Sequence, residues 1–243
     1  MNQHYQHLVQ KLEEIVHLNG VMSTIGWDQE VMLPAGATEA RAKQISALAG
    51  VIHERMTDPE LGDCLAALSD EGADAFNAFE RCNIREAQRS YALETKVPKR
   101  LVQELAELSS RGQGIWVAAR QENKFSDFAP VIKRFLDLKK EWAQCVSPEL
   151  KPYDANIDLF ERGTTMAMIT PVFDRLKEEL IPLIHRIQDH PCQPDASFLQ
   201  GRFAIDRQES LARKISQDIG FNFAQGRMDV SVHPFCGGSH PTD

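Results

Sequence analysis

Apolar side chains that recur at helical intervals constrain the fold of this chain more than any other feature. In the clearest run, from residue 97 to about 123, they share one helix face: Leu101, Leu105, Leu108, Ile115 and Ala119. A second run over 126–146 predicts another amphipathic helix, with Ser126 as its N-cap. The sequence therefore predicts a mainly α-helical chain.

Further helices are predicted on either side of these two. Three precede them, over residues 5–29, 38–56 and 73–93, and Asp58-Pro59 is expected to separate the last two. Thr170-Pro171 is predicted to open another helix, because a cap residue followed by proline favours a helix N-terminus.

The periodicity changes after Gly220. Met228, Val230 and Val232 alternate with polar residues, and this period of two is typical of a β-strand. With the neighbouring glycines as turns, we expect a small β-strand or hairpin at about 226–236. A strand needs a hydrogen-bonding partner, so a pairing strand is expected beyond the end of the chain. The prediction is a single helical domain over 1–243, cut short.

Composition excludes several classes of protein. The chain is 42% hydrophobic and has a formal net charge of -8, with lysine and arginine scattered among the acids. A nucleic-acid-binding protein would show a basic patch, so no nucleic-acid partner is expected. The sequence shows neither a signal peptide nor a run of membrane-spanning length, which predicts a cytoplasmic protein without a membrane partner. Its five cysteines are widely separated and are predicted to be reduced thiols.

A partial zinc motif stands at His53-Glu54. In H-E-x-x-H the two histidines lie on one helix face and bind the metal, while the glutamate activates water. Here the fifth position is Thr57 and a helix end follows, so His53 is predicted to be a structural or surface residue. His4 and His7 could share a helix face, but near the terminus solvated side chains are expected. No metal ligand is assigned.

The most unusual local stretch surrounds His233, Pro234 and Phe235. An imidazole, a ring-locked backbone and an aromatic ring at the end of a predicted strand would suit the wall of a binding cleft. A purely structural turn is the alternative for the same residues. The sequence shows neither a G-x-S-x-G nucleophile motif nor a phosphate-binding glycine pattern.

Several segments, taken in order, resemble the carboxypeptidase Taq family. They are residues 25–34 (IGWDQEVMLP), 41–44 (RAKQ), 147–154 (SPELKPYD), 160–163 (FERG) and 233–235 (HPF). The resemblance implies a mostly helical, usually homodimeric enzyme that removes single residues from peptide C-termini. It also implies a divalent metal, Zn²⁺ or Co²⁺, bound through H-E-x-x-H and a later glutamate in the full-length enzyme.

The resemblance further implies substrate-positioning roles for two motifs. His233, Pro234 and Phe235 match the H-P-F motif, whereas Asp243 matches only the first residue of D-x-R-x-T. The metal-binding motif has no counterpart among the 243 residues, so no catalytic residue and no bound metal are expected in this chain.

We therefore expect the N-terminal part of a longer metallocarboxypeptidase, with substrate-cleft residues but without activity of its own. It could be an expressed fragment, a partial gene model or a frameshift product. The alternative is a non-catalytic helical module that binds peptides or a partner protein.

Overall fold

The computed structural model describes residues 2–238, apart from the side chain of Ala73. Within that range the α-helices are α1 (Gln3–Val31), α2 (Thr38–Met56), α3 (Pro59–Asp70), α4 (Ala78–Glu94), α5 (Lys99–Gln121), α6 (Phe125–Val146), α7 (Pro152–Ile157), α8 (Met166–Gln188) and α9 (Ile205–Asp218). Short 3₁₀ helices lie at Ala35–Ala37, Ala73–Ala75 and Ser197–Leu199. The predicted mainly α-helical fold class is confirmed.

The chain divides into two compact units. One comprises the residues up to Pro152 together with the segment that begins at Val230, and the other is Tyr153–Asp229. The segment with His233, Pro234 and Phe235 thus belongs to the first unit. A single domain over 1–243 stays a prediction.

The core of the first unit consists of two clusters. Helices α1, α3 and α4 form the larger one, whose fully buried side chains are Leu8, Leu61 and Leu68. Helices α5 and α6 form the other, around Leu101 and Leu138. Burial of one leucine side chain stabilises a fold by about 1.5–3 kcal/mol, so these faces hold the helices together.

Two glycines let α5 lie close to its neighbours on both sides. A Cβ at Gly114 would lie 2.9 Å from the Thr38 methyl carbon at the start of α2. A Cβ at Gly112 would lie 2.9 Å from a methyl carbon of Val131 in α6. Helix α5 is therefore fixed between α2 and α6.

Two predictions about the helices before α5 were wrong. Asp58-Pro59 opens α3, which the sequence had not predicted, and the Asp58 carboxylate accepts a hydrogen bond from the Glu60 amide. The next helix begins at Ala78 rather than at residue 73. Asn77 and Glu80 form a capping box there, which satisfies amides that would otherwise lack partners.

Two predicted helix starts also differ from the structure. Helix α6 begins at Phe125, so Ser126 lies inside its first turn and does not cap it. Helix α8 begins at Met166, four residues before Thr170. The Asp154 carboxylate accepts a hydrogen bond of 2.7 Å from the Met166 amide, and this non-local cap explains the earlier start.

The predicted β-element over 226–236 is wrong, because the described part of the chain contains no β-strand. Local side-chain contacts replace strand pairing in this segment. The Arg227 guanidinium donates to both carboxylate oxygens of Asp229 at 2.8 Å. The Ser231 hydroxyl donates to the carbonyl of His233, also at 2.8 Å. The residues with the alternating pattern therefore form a loop.

In the second unit, α8 and α9 contain no buried residue. Large apolar side chains are exposed along both helices, among them Val172, Phe173, Ile187, Ile205 and Leu211. Across residues 2–238, no helix is both long and apolar enough to cross a membrane.

Candidate functional site

A stripe of polar and aromatic residues runs along one face of α5. Ser110, Gln113, Trp116 and Arg120 are spaced by three, three and four residues, which places them on the same side of the helix. We call these four residues the α5 stripe. Because α5 is fixed by its glycine contacts, the stripe has a defined position in the first unit.

The first half of the α5 stripe binds the end of α1. The buried Ser110 hydroxyl, with 3% of the residue exposed, donates a hydrogen bond to the Gln29 side-chain oxygen. One turn later, the Gln113 amide donates to the Glu30 carboxylate at 2.6 Å. Gln29 and Glu30 belong to segment 25–34, so the stripe holds that segment in place.

Arg41 holds the same segment from α2. Its Nη1 donates to the Ile25 carbonyl at 2.8 Å, its Nη2 pairs with the Asp28 carboxylate, and its Nε contacts Gln44 Oε1 at 3.2 Å. A planar guanidinium suits such a multi-point contact. Segments 25–34 and 41–44, which were recognised separately in the sequence, therefore form one connected element.

The second half of the α5 stripe contacts the loop of His233. The Trp116 and His233 rings meet edge to face, with ring centroids 6.2 Å apart and an interplanar angle of 65°. The central guanidinium carbon of Arg120 lies 5.3 Å from the Trp116 ring centroid, which is a cation–π distance. Within residues 2–238, Arg120 has no carboxylate partner.

The loop itself determines which ring nitrogen of His233 is available. Nδ1 lies 2.9 Å from the carbonyl oxygen of Pro234. A carbonyl oxygen only accepts hydrogen bonds, so Nδ1 carries the proton and donates it. In the neutral imidazole this leaves Nε2 as an acceptor, on a side chain that is exposed to solvent. Phe235 is also exposed, whereas Asp243 lies outside the described residues.

The histidine of the partial zinc motif has a structural environment. His53 is buried, and its Nδ1 lies 3.1 Å from a carboxylate oxygen of Glu94. Thr57, at the position of the missing histidine, donates from its hydroxyl to the His53 carbonyl at 2.8 Å. His53 therefore links α2 to α4.

The described residues do not fit a zinc site. Residues 2–238 contain no group of three histidine, cysteine, aspartate or glutamate side chains that could hold a metal ion. Of the two N-terminal histidines, His4 and His7, the Nδ1 atom of His4 lies 3.4 Å from the Glu71 carboxylate.

Ion pairs join α5 to α2, the helix that carries segment 41–44. Arg111 donates to both carboxylate oxygens of Glu39 at 2.9 Å, and this hydrogen bonding lowers the pKa of Glu39. Lys99 donates to Glu54 and lowers the pKa of that carboxyl group in the same way. Both pairs join α5 to α2, which adds to the close packing at Gly114.

Sequence reasoning found His233 but missed its partners on α5. The spacing of Ser110, Gln113, Trp116 and Arg120 is visible in the sequence as a second face of the helix. That spacing gives no reason to connect α5 with a loop more than 100 residues away. The structure supplies the connection through the Trp116–His233 contact.

Comparison with known proteins gives matches along almost the whole chain. Thermostable carboxypeptidase 1 of Thermus thermophilus is 32% identical over 95% of this chain and 47% of its own length. The crystal structure of BsuCP superposes with a TM-score of 0.91 at 27% identity, over 96% of this chain and 47% of that one. The M32 carboxypeptidase from Deinococcus radiodurans R1 gives a TM-score of 0.80 at 30% identity, over 98% and 47% of the two chains.

These matches agree with the segments found in the sequence, although the chain spans about half the length of the curated relatives it matches. The sequence profile described as carboxypeptidase Taq (M32) metallopeptidase matches residues 7–243. That match includes the end of α1, the α5 stripe and the His233 loop. The chain therefore belongs to the carboxypeptidase Taq (M32) metallopeptidase family.

Proposed function

We propose that this chain provides peptide-binding residues of a metal-dependent carboxypeptidase that removes single amino acids from peptide C-termini. His233, Pro234, Phe235 and Asp243 position the substrate. The metal is Zn²⁺ or Co²⁺, and its ligands lie outside these 243 residues. The full-length enzyme is a cytoplasmic homodimer in which this chain forms a single domain.

The observation that carries the proposal is the anchored position of His233. Its ring contacts Trp116 on a rigid helix, and its loop is tied by hydrogen bonds at Ser231 and Pro234. Side chains that recognise ligands need such support, because a loosely held group loses binding energy when it becomes ordered. The His233 side chain is exposed, and its ring contacts both Trp116 and the carbonyl oxygen of Pro234.

The polar and charged groups near His233 are suited to bind the C-terminus of a peptide. A peptide C-terminus offers a carboxylate and, next to it, a backbone N–H. Neutral Nε2 of His233 accepts a hydrogen bond from such an N–H, and the protonated ring donates to a carboxylate. The Arg120 guanidinium, held over Trp116, adds a positive charge to the same region.

In the complete enzyme a bound metal would polarise the scissile carbonyl and activate water. The residues of this chain would bind and orient the peptide for that reaction. Because this chain would bind the peptide and the metal would be needed for hydrolysis, we expect peptide binding to be measurable in this chain without hydrolysis.

The alternative function is a non-catalytic helical module that binds peptides or a partner protein. The two functions differ in what they recognise. A carboxypeptidase site distinguishes a free C-terminal carboxylate from an amide. A module that binds an internal peptide segment treats both ends alike.

Peptide binding to the purified 243-residue chain tests the proposal. The ligands are an N-acetylated tripeptide with a free C-terminal carboxylate and the same peptide with a C-terminal amide, both measured by NMR titration with a chelator present. We expect the carboxylate to bind about tenfold more tightly, which corresponds to about 1.4 kcal/mol.

The variant His233→Ala should lose most of this preference, whereas His190→Ala, at an exposed histidine after α8, should keep it. Equal binding of the two peptides by the unchanged chain would reject the carboxypeptidase site. It would leave the non-catalytic module as the better description.

A further inference from the structure

Trp116 occupies a central place among the groups near His233. Its indole meets the imidazole of His233 in an edge-to-face arrangement, and the Arg120 guanidinium lies over the indole ring. It is only partly exposed and lies on α5, three residues after Gln113, which binds Glu30. Trp116 thus connects the rigid part of the first unit to the loop of His233.

The imidazole of His233 has two features that a neighbour could control. One is the rotation of the ring, which decides where Nε2 points. The other is the tautomer, which the Nδ1–H···O contact to Pro234 sets at 2.9 Å. Both features change together, because rotation of the ring breaks that contact. An aromatic ring packed against the imidazole opposes the rotation, and such aromatic pairs prefer the edge-to-face geometry observed here.

We propose that Trp116 is a positioning residue for His233: it holds the imidazole so that Nδ1 binds the Pro234 carbonyl and Nε2 is offered to the C-terminal end of a peptide. This inference rests on the proposed function, since it gives His233 the substrate contact. It adds a residue that lies on α5, outside every segment by which the family was recognised in the sequence.

Arg120 acts through the same indole. Its guanidinium carbon is 5.3 Å from the Trp116 ring centroid. The indole therefore holds a cation next to the histidine that it orients. A cation here favours an anionic ligand group, which matches the carboxylate of a peptide C-terminus rather than an amide.

The first test measures the ring of His233 directly in the 243-residue chain. The ¹⁵N shifts of its two ring nitrogens report which nitrogen carries the proton. We expect a protonated Nδ1 and an unprotonated Nε2 in the unchanged chain. Trp116→Leu should move both shifts toward the averaged values of a freely exchanging ring. Trp116→Phe, which keeps an aromatic edge, should restore most of the difference.

Phe125→Leu is the matched control. It also replaces an aromatic residue of the first unit with leucine, but Phe125 is exposed and lies at the start of α6. The His233 shifts should not change in this variant. Helix content by circular dichroism should be the same in all four proteins, because Trp116 is not part of either buried cluster.

The second test uses the two peptides that differ only at the C-terminus. Trp116→Leu should reduce the preference for the carboxylate by about three- to tenfold, the range expected when one aromatic pair is lost. Arg120→Gln should also reduce it, without changing the His233 ring shifts. Phe125→Leu should leave the preference unchanged.

The outcomes separate this inference from the function on which it rests. If His233→Gln removes the carboxylate preference but Trp116→Leu changes neither that preference nor the ring shifts, Trp116 does not position His233. If His233→Gln also leaves the preference unchanged, the proposed function itself is wrong.

Discussion

At the scale of single residues, Arg41 shows how one side chain connects two parts of the sequence. Its side chain is only 13% exposed, and all three of its guanidinium nitrogens have acceptors in segments 25–34 and 41–44. A buried donor or acceptor that loses its partner lowers the free energy of unfolding by more than the intact hydrogen bond contributes to it. Arg41 thus supplies hydrogen-bond donors to the Ile25 carbonyl and the Asp28 carboxylate near the end of α1.

Replacement of Arg41 by methionine should destabilise the first unit by about 1–3 kcal/mol, because the Ile25 carbonyl and the Asp28 carboxylate lose their donor. The measurement is the free energy of unfolding in urea, followed by circular dichroism. Arg85→Met is the control, since the Arg85 side chain is 68% exposed, and it should change stability by less than about 0.5 kcal/mol. Equal effects of the two variants would show that the Arg41 contacts contribute little.

Asp58 gives a prediction about pH. The hydrogen bond from Lys11, followed by that from the Glu60 amide, lowers the pKa of Asp58 in the folded chain. A carboxylate with a lowered folded pKa stabilises the fold above its unfolded pKa of about 4, and this contribution is lost as pH falls through the folded value.

Asp58→Asn keeps the helix cap and removes only the charge, so it should destabilise the chain at pH 7 by up to about 1 kcal/mol. Urea unfolding at pH 7 and at about pH 2.5 provides the comparison. The unchanged chain and the variant should differ in stability at pH 7 and converge in acid. A difference that stays constant with pH would mean that the Lys11 pair does not contribute.

At the scale of helices, close packing at glycine explains the position of α5 better than its apolar face does. On that face, Leu101 packs in the hydrophobic cluster that also contains Leu138 of α6. Gly114 sets the distance to α2, because a side chain there would meet Thr38. Thr38 is β-branched and anchored by a hydrogen bond from its hydroxyl to the Ala35 carbonyl, so it cannot easily move away.

Two glycine substitutions in helices should therefore have opposite effects. Gly26→Ala in α1 has open space around the new methyl group, so it should stabilise the chain by about 0.5–1 kcal/mol through helix propensity. Gly114→Ala gains the same propensity but meets Thr38 at 2.9 Å, and overpacking of about 1–3 kcal/mol should dominate. Thermal unfolding of both variants tests this, and stabilisation by Gly114→Ala would contradict the packing described for α5.

The helices also show where sequence reasoning succeeds. Helices α2, α5 and α6 were predicted almost at their true limits, since each has an apolar face and clear turn residues at its ends. The start of α8 was missed because Asp154, twelve residues earlier, caps it. The prediction of a β-strand was wrong because period-two alternation shows only which side chains share a face. It does not supply a second strand to form hydrogen bonds with the backbone.

At the scale of the whole molecule, the two units differ in how well their helices are buried. The first unit contains both hydrophobic clusters. In the second, the helices α8 and α9 bury no residue. The apolar side chains of Ile205 in α9 and of Ile219, directly after it, are 79% and 80% exposed. Helical structure without burial relies on local propensity, which gives marginal stability.

Backbone amides in α8 and α9 should therefore exchange with solvent faster than those in the middle of α5. Low burial of apolar side chains is the physical reason, because local opening there exposes little additional apolar surface. Hydrogen exchange followed by mass spectrometry measures this on the 243-residue chain. Protection in α8 equal to that around Leu101 would show that α8 is stabilised by contacts absent from the described structure.

The functional site was only partly predictable from sequence. His233, Pro234 and Phe235 were identified because family motifs are local in sequence. Trp116 and Arg120 were not, since their role depends on a contact between α5 and a loop far along the chain.

The division between peptide binding and metal chemistry is tested most directly by an assay for peptide hydrolysis. The purified 243-residue chain is incubated with an N-acylated dipeptide and added zinc or cobalt, and release of the C-terminal amino acid is measured. We predict no release, because neither H-E-x-x-H nor a cluster of three ligands within residues 2–238 is available to hold the metal. Release that persists after repurification and is blocked by a chelator would contradict this account, since it would show that these 243 residues assemble a metal site of their own.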